Sequence, residues 1–288
     1  MNILILGSSG FIGNFFYNSL NLKKKVKVFG IDKVFENNNK LKHNISKFDL
    51  GNFINKKKIN IIIDAIGYSG HDLSNKTLYN KSFNYNVKCK TNILKCLEKV
   101  DTKILYISLG TLYKFGNNSR IKKEYFKPVI KTLETQSKIK NIFENNLFML
   151  KNNYVKVLVI NIGSVFGDKK KIKKDSNLID KINHCIRLNK KYDIYYHNNG
   201  KRLKNIIDIN SLYLEVRKII FKSFKQQKCS YKEINLDKYI FDLGLLKIFK
   251  NLKFIKLPIK KMVGYYYVDK TKGITIRKFL KLKNNIYN

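Results

Sequence analysis

Proline, carboxylates and long apolar runs are scarce in this 288-residue chain, and each scarcity narrows what the chain can be. Two prolines occur, Pro128 and Pro258, with no low-complexity stretch around them, so a Pro-rich linker is excluded. No apolar run approaches the roughly 18 residues a membrane-spanning helix needs. The chain begins on the strand-like MNILILG and not on a basic-then-apolar leader, which leads to the expectation of a cytoplasmic protein. Four cysteines (Cys89, Cys96, Cys185, Cys229) lack CxxC spacing, and four histidines (His43, His71, His184, His197) form no ligand pair with them. Reduced thiols and no metal site are therefore expected. Acidic residues number 20 against 59 basic ones, a formal charge of +39. The lysines are spread over nearly every segment, with asparagine enriched beside them, as an AT-rich coding bias would leave them. No specific nucleic-acid partner is expected from so diffuse a charge, but the field favours an anionic small molecule.

What is present is a globular composition, with 44% hydrophobic and 13% aromatic residues. Short β-branched runs at Asn2–Leu6, Val26–Ile31, Ile59–Ala65, Lys103–Ser108 and Val155–Ile162 alternate with amphipathic segments at Phe11–Leu20, Asn86–Leu97 and Ile130–Leu150. Nearly continuous apolar strands separated by helices predict parallel strands buried on both faces, hence a doubly wound α/β sheet. Regularity falls after Gly167, where basic residues up to Lys174 suggest a solvated loop. A further helix at Asn177–Leu188 and a strand at Asp193–His197 follow.

The first strand runs straight into Gly7-Ser8-Ser9-Gly10-Phe11-Ile12-Gly13, which opens a helix. Glycines at this spacing permit a tight turn, a close approach of backbone to a diphosphate, and close helix–strand packing. The helix amino end then offers N–H groups and partial positive charge. The second strand ends at Asp32, 19 residues past Gly13, where a carboxylate can accept both hydroxyls of an adenosine ribose. That carboxylate repels a 2′-phosphate and favours NAD over NADP, a preference the neighbouring Lys33 softens. A Rossmann-like domain over 1–163 is expected, with 203–222 returning to it, and a smaller substrate-binding lobe over 164–288.

With these residues the chain resembles the extended short-chain dehydrogenase/reductase family, specifically the NAD-dependent epimerases and dehydratases of nucleotide sugars. Five further segments match in order across most of residues 1–215. KFDLGN is similar to the segment in which Asp49 would bind the adenine amino group and Leu50 pack on the ring. DAIGYSG (Asp64–Gly70) stands at the His-x-Ala-Ala strand end, so Ala65, Ile66 and Gly67 would line the cofactor. NVKCKTN (Asn86–Asn92) is similar to the Asn-Val-x-x-Thr-x-Asn helix, where Asn86 would support the active-site backbone. INIGSVFG resembles the Arg-x-x-Asn-Val-Tyr-Gly turn, and GKRLKNIIDINSL the Gly-x-x-x-Arg-Asp-Phe-Ile-His-Val-x-Asp segment.

The chemistry of that family rests on a Ser/Thr, a Tyr and a Lys beside the nicotinamide, with Tyr and Lys four apart on one helix face. The lysine lowers the tyrosine pKa so that it can exchange a proton with a sugar hydroxyl. Here no tyrosine lies between Phe126 and Asn153. In LETQSKIKNIFE (Leu133–Glu144), pairing with Lys138 puts Glu134 at the tyrosine position. Pairing with Lys140, supported by Glu144, puts Gln136 there, and anchoring on Pro128 puts Thr132 there. Aligning Tyr113 with the Val-Tyr-Gly tyrosine puts Leu109 at the hydroxyl position and leaves Ser108 and Thr111 as substitutes. The Asp-Glu pair of the 4,6-dehydratases is missing as well. The family's turn asparagine becomes Ser164, its arginine Asn161, and the diphosphate arginine Lys204, a point charge in place of a fork.

The resemblance implies hydride transfer between NAD and a sugar carbon of a nucleotide sugar, in surface polysaccharide synthesis. Lys138 would hold the ribose, Ser108 or Thr111 orient the substrate oxygen, and Glu134 act as a base. Tyr68 and Tyr125 are further candidates for the proton carrier. Ser164 and Lys204 would meet the substrate. A homodimer through a four-helix contact of Asn86–Leu97 and Ile130–Leu150 is implied too. The alternative is a catalytically inactive NAD-binding sensor or subunit of the same fold.

Overall fold

A computed structural model describes residues 1–23, 25–33, 40–67, 80, 83–111, 135–167, 192–197, 203–223, 231–236, 239–242, 252–257 and 273–274. The segments expected as a basic loop beyond Gly167 and as a helix over Asn177–Leu188 lie outside them, as do Tyr68, Tyr125 and Glu134. The described residues fall into two compact units. One draws on Met1–Thr111, Thr135–Asn161 and Arg217–Asn235, the other on Ile162–Val216 and Leu236–Asn288.

The first unit is built on β1 (Asn2–Leu6), β2 (Lys27–Asp32), β3 (Lys40–Lys42), β4 (Ile61–Asp64), β5 (Ile104–Thr111), β6 (Val155–Ile162) and β10 (Tyr231–Leu236). They form a seven-stranded sheet in the order β10-β6-β5-β4-β1-β2-β3, with β1–β2, β2–β3, β1–β4 and β4–β5 all parallel. This is the Rossmann-like arrangement expected. Ile3 to Leu6 and Ile61 to Ile63 are fully buried, which is why these strands read as unbroken apolar runs. Each such isoleucine or leucine contributes about 1.5–3 kcal/mol by leaving water.

Around the sheet lie α1 (Phe11–Asn21), α2 (Leu50–Lys57), α3 (Cys89–Leu97) and α4 (Thr135–Phe148). Helix α1 buries Gly13, Phe16, Tyr17 and Leu20, the 3–4 spacing of one helix face. A π-helical turn, Asn84–Lys88, runs directly into α3. The chain passes from β1 to β2 on one side and returns to place β4 on the other. The carboxyl ends of β1 and β4 therefore flank the switch point where doubly wound sheets bind ligands.

The second unit contains a four-stranded sheet ordered β13-β11-β9-β7. Its members are β7 (Ser164–Phe166), β9 (Leu203–Asp208), β11 (Tyr239–Asp242) and β13 (Gly273–Ile274). A two-stranded parallel sheet pairs β8 (Tyr192–His197) with β12 (Leu252–Leu257). Helix α5 (Ile209–Ser223) follows β9, and from Arg217 onward it belongs to the first unit. No described helix is long and apolar enough to cross a membrane.

Candidate functional site

Gly7 leaves β1 with φ +79, a conformation that disfavours any side chain. Its N–H donates to the Ile31 carbonyl at 2.9 Å, tying the loop to β2. The Gly10 N–H closes the turn onto the Gly7 carbonyl at 3.0 Å. Gly10 caps α1 with no side-chain hydrogen bond, and the first turn holds no acidic residue. The amino end thus keeps its positive partial charge. A Cβ on Gly13 would stand 2.8 Å from the Gly7 carbonyl carbon and nearer still to its oxygen. A Cβ on Gly7 would stand 3.1 Å from the backbone of Ala65. The loop, the helix and the end of β4 therefore touch through backbone alone.

Asp32 closes β2, and its two oxygens accept from the Ser9 N–H (3.0 Å) and the Lys33 N–H (2.6 Å). The Lys33 ammonium lies 4.8 Å from the centre of the Tyr85 ring. Burial first, then Asp32 and Cys89, push the Tyr85 hydroxyl above its usual pKa. Asp49, expected at the adenine, is the amino-terminal cap of α2, accepting from the Asn52 N–H at 3.0 Å. Leu50, expected on the ring face, is wholly buried in the core.

Across the switch point, Ala65 donates its N–H to the Leu6 carbonyl at 3.0 Å, and Ile66 donates to the Asp64 side chain at 3.0 Å. A Cβ placed on Gly67 would stand 4.0 Å from Asn86 Oδ1 and 4.0 Å from Lys140 Nζ. Lys140 thus lies against the end of β4. Asn86, Ser108, Leu109, Lys140 and Glu144 line a cavity of about 10 Å³ together with Lys90 and Phe143, room for one water. Ser108 is buried and pairs with Asp64 across β4 and β5. Gly110 follows, and a Cβ there would stand 2.5 Å from Glu144 Oε1 and 2.6 Å from Asn161 Oδ1, two buried side chains.

On sequence, Lys138 and Lys140 are both weighed and the ribose is assigned to Lys138. Both stand on α4, but the Lys138 side chain is outside the described residues, as is that of Thr111 at the end of β5. Ser164 on β7 and Lys204 on β9 lie in the second unit's four-stranded sheet, and the Lys204 side chain is likewise outside the described residues. Sequence reasoning missed one cluster beneath this edge. Asp64 is buried on β4, and both the Lys90 ammonium and the Tyr106 hydroxyl donate to its Oδ2. A carboxylate inside the run IIIDAIG was the available signal, because a charge in a doubly buried strand requires a partner. Burial first, then the Asp64 charge and its hydrogen bond, hold the Tyr106 hydroxyl well above its ordinary pKa. Among the described residues, no group of three His, Cys, Asp or Glu side chains could hold a metal ion.

No curated protein sequence matches the chain significantly. Among solved structures, UDP-glucuronic acid 4-epimerase from Bacillus cereus, in complex with UDP-glucuronic acid and NAD, is similar with a TM-score of 0.72 at 16% identity. That match covers 100% of this chain and 93% of that one. dTDP-glucose 4,6-dehydratase from Bacillus anthracis in complex with NAD gives 0.73 at 14% identity, covering 100% and 96%. UDP-glucose 4-epimerase from Thermotoga maritima, with UDP-glucose, gives 0.73 at 16%, covering 93% and 90%. At such identities the likeness establishes the fold alone. The family model for the NAD dependent epimerase/dehydratase family, however, matches residues 3–212. With the glycine loop, the carboxylate after β2 and the sheet order already in place, that match means the chain belongs to the NAD-dependent epimerase/dehydratase family.

Proposed function

We propose that this protein holds NAD along the carboxyl edge of its seven-stranded sheet and transfers a hydride to and from a carbon of a nucleotide-linked sugar, in surface polysaccharide synthesis. The observation that carries this reading is the meeting of the glycine loop, the Ala65–Gly67 backbone, Asn86 and Lys140 at one switch point. Solved relatives of the same fold carry UDP-glucuronic acid with NAD, or UDP-glucose.

In this reading the diphosphate lies at the amino end of α1, against Phe11, Ile12 and Gly13, in a loop from Gly7 to Gly10 whose shape the Gly7, Ser9 and Gly10 N–H groups hold. Asp32 accepts the ribose hydroxyls beside Lys33, and Asp49 and Leu50 shape the adenine side. NAD, when bound, supplies the hydride acceptor. Lys140 or Lys138 holds the nicotinamide ribose and biases the proton-transfer group. The short reach from Lys140 to Gly67 favours Lys140. Ser108 or Thr111 orients the substrate oxygen, and Ser164 and Lys204 are the residues assigned to the substrate and its diphosphate. Glu134 remains the candidate base if Lys138 is the partner lysine, whereas Gln136 occupies the tyrosine position if it is Lys140.

The test is turnover of a panel of UDP-, GDP- and dTDP-sugars with NAD, run in parallel on Gln136→Tyr. Restoring a tyrosine four residues before Lys140 should raise turnover at least tenfold on an accepted sugar. NADH binding without turnover by either protein would favour an inactive binding subunit. A homodimer through α3 and α4 is part of the proposal, supported by exposed Ile142, Phe148 and Met149 near or on α4. Sedimentation equilibrium checks it, with a monomer at micromolar concentration counting against it.

A further inference from the structure

The Asp64–Lys90–Tyr106 cluster has a placement that stability alone does not demand. Asp64 is 1% exposed, Lys90 7% and Tyr106 0%. Oδ2 of the carboxylate takes both side-chain donors while Oδ1 takes the Ile66 N–H, so its charge is matched on every side. Apolar side chains of similar volume would pack such a spot at least as stably as an ion pair. Each member also lies a fixed structural step from a residue at the cofactor edge. Lys90 stands four residues after Asn86, where the helix joins its π-helical turn. Tyr106 stands two residues before Ser108 on β5, and therefore on the same strand face. Asp64 holds Ile66 directly, in the backbone against which Gly7 packs. The Lys90 ammonium also lies 4.9 Å from the centre of the Phe143 ring, three residues after Lys140 on α4.

Both ionic members stand at positions where the chain departs from the motifs it resembles. Asp64 stands at the His of His-x-Ala-Ala, and Lys90 at the Thr of Asn-Val-x-x-Thr-x-Asn. A carboxylate and an ammonium thus occupy two such positions that touch in space.

We propose that Asp64, Lys90 and Tyr106 form a positioning hub that fixes the Ala65–Gly67 backbone, Asn86, Ser108 and Lys140 relative to one another. Its effect is to set affinity for the nicotinamide half of the cofactor and leave the adenosine half, held at Asp32, unaffected. The inference rests on the cofactor site described above. None of the three residues touches cofactor or substrate. They act through the backbone and side chains they hold.

The experiment compares wild type, Asp64→Leu/Lys90→Met and Tyr106→Phe in thermal melts and in titrations with AMP and with NADH. The double variant leaves the Tyr106 hydroxyl and the Ile66 N–H without their acceptor and should melt below wild type, yet bind AMP within twofold of it. It should bind NADH at least tenfold more weakly. Tyr106→Phe, which removes one hydroxyl, should lose about threefold in NADH affinity with AMP unchanged. A merely structural cluster would lower AMP and NADH binding together, or neither, and either result in a folded variant overturns the hub. Should the double variant fail to fold, Tyr106→Phe decides alone, and unchanged NADH affinity there refutes the proposal. Wild type that binds neither nucleotide would remove the cofactor reading and the hub with it. Binding by wild type with unchanged variants removes the hub alone.

Discussion

Replacing Gly13 by alanine tests the glycine loop at its tightest point. The added Cβ would stand 2.8 Å from the Gly7 carbonyl carbon and 3.2 Å from Ser8 Cα, with the Gly7 oxygen nearer than either. Non-bonded carbons rest at about 3.5 Å or more, so the Gly7 peptide must recede by about 0.7 Å at least. Both colliding partners are backbone, and no rotamer change relieves the clash. The Gly7 N–H to Ile31 and the Gly10 N–H to Gly7, at 2.9 and 3.0 Å, stretch as the peptide moves. Overpacking at about 1–3 kcal/mol, with about 1 kcal/mol for one weakened hydrogen bond, gives roughly 2–4 kcal/mol. That corresponds to a melting temperature lowered by roughly 5–15 °C. Misdirecting one charge-assisted N–H to phosphate contact, about 1.5–3 kcal/mol, weakens NADH binding roughly 10- to 150-fold. Differential scanning fluorimetry and an NADH fluorescence titration read both effects. A Gly13→Ala protein that melts within 1–2 °C of wild type, the scale of a sub-kcal/mol change, and binds NADH within twofold would refute the contact argument.

Three further outcomes follow from the same contacts. Gly51→Ala is the opposite case. Its Cβ meets nothing closer than 3.5 Å, and the site lies in α2, so the variant should gain about 0.5–1 kcal/mol in urea unfolding. Asp32→Asn removes the charge that faces a 2′-phosphate, and competitive titration should find the NADPH-to-NADH affinity ratio raised about tenfold, or ~1.4 kcal/mol. Tyr106 governs alkaline stability. Its native pKa is raised, so the unfolded chain releases that proton near pH 10 while the folded chain keeps it. The stability it protects is whole below about pH 10 and falls as pH rises toward the folded value, by up to about 1.4 kcal/mol per pH unit. Between pH 9 and pH 11, Tyr106→Phe should therefore lose less stability than wild type in paired denaturant melts, and equal losses would contradict the assignment.

The strands were legible because burial on both faces leaves no polar residue to blur them. Asn2–Leu6 and Val155–Ile162 carry the same limits in sequence and structure, and Phe11–Leu20 extends by one residue. Shorter agreement at β4, expected from Ile59 and observed from Ile61, reflects Ile59 being buried before the ladder begins. At the site, glycine spacing and the carboxylate after β2 announced themselves because a tight backbone turn admits few residues. Asp49 reads in sequence as an adenine contact and not as a helix cap, since a carboxylate before LGNFI suits either role. The lysine register could not be read from Lys138 and Lys140 alone. Two residues on a helix are about 200° apart in direction, and choosing between them requires knowing which face meets Gly67. The buried cluster was hidden for a related reason. Its three members lie on different elements, 16 to 42 positions apart, and nothing local pairs them.

The widened coil over Asn84–Lys88 holds one residue more per turn than the helix it feeds. It therefore takes up one extra residue without rotating what lies on either side of it. Excising a single residue from it would let the segment rewind as ordinary helix, and because five residues of the wide turn sweep about the same angle as four of α-helix, Phe83 before it and Ile93 and Leu97 after it would keep their directions. The chain's tolerance to length change is thus local here: a one-residue deletion is absorbed inside the turn and spends its effect on Asn86 and its immediate neighbours.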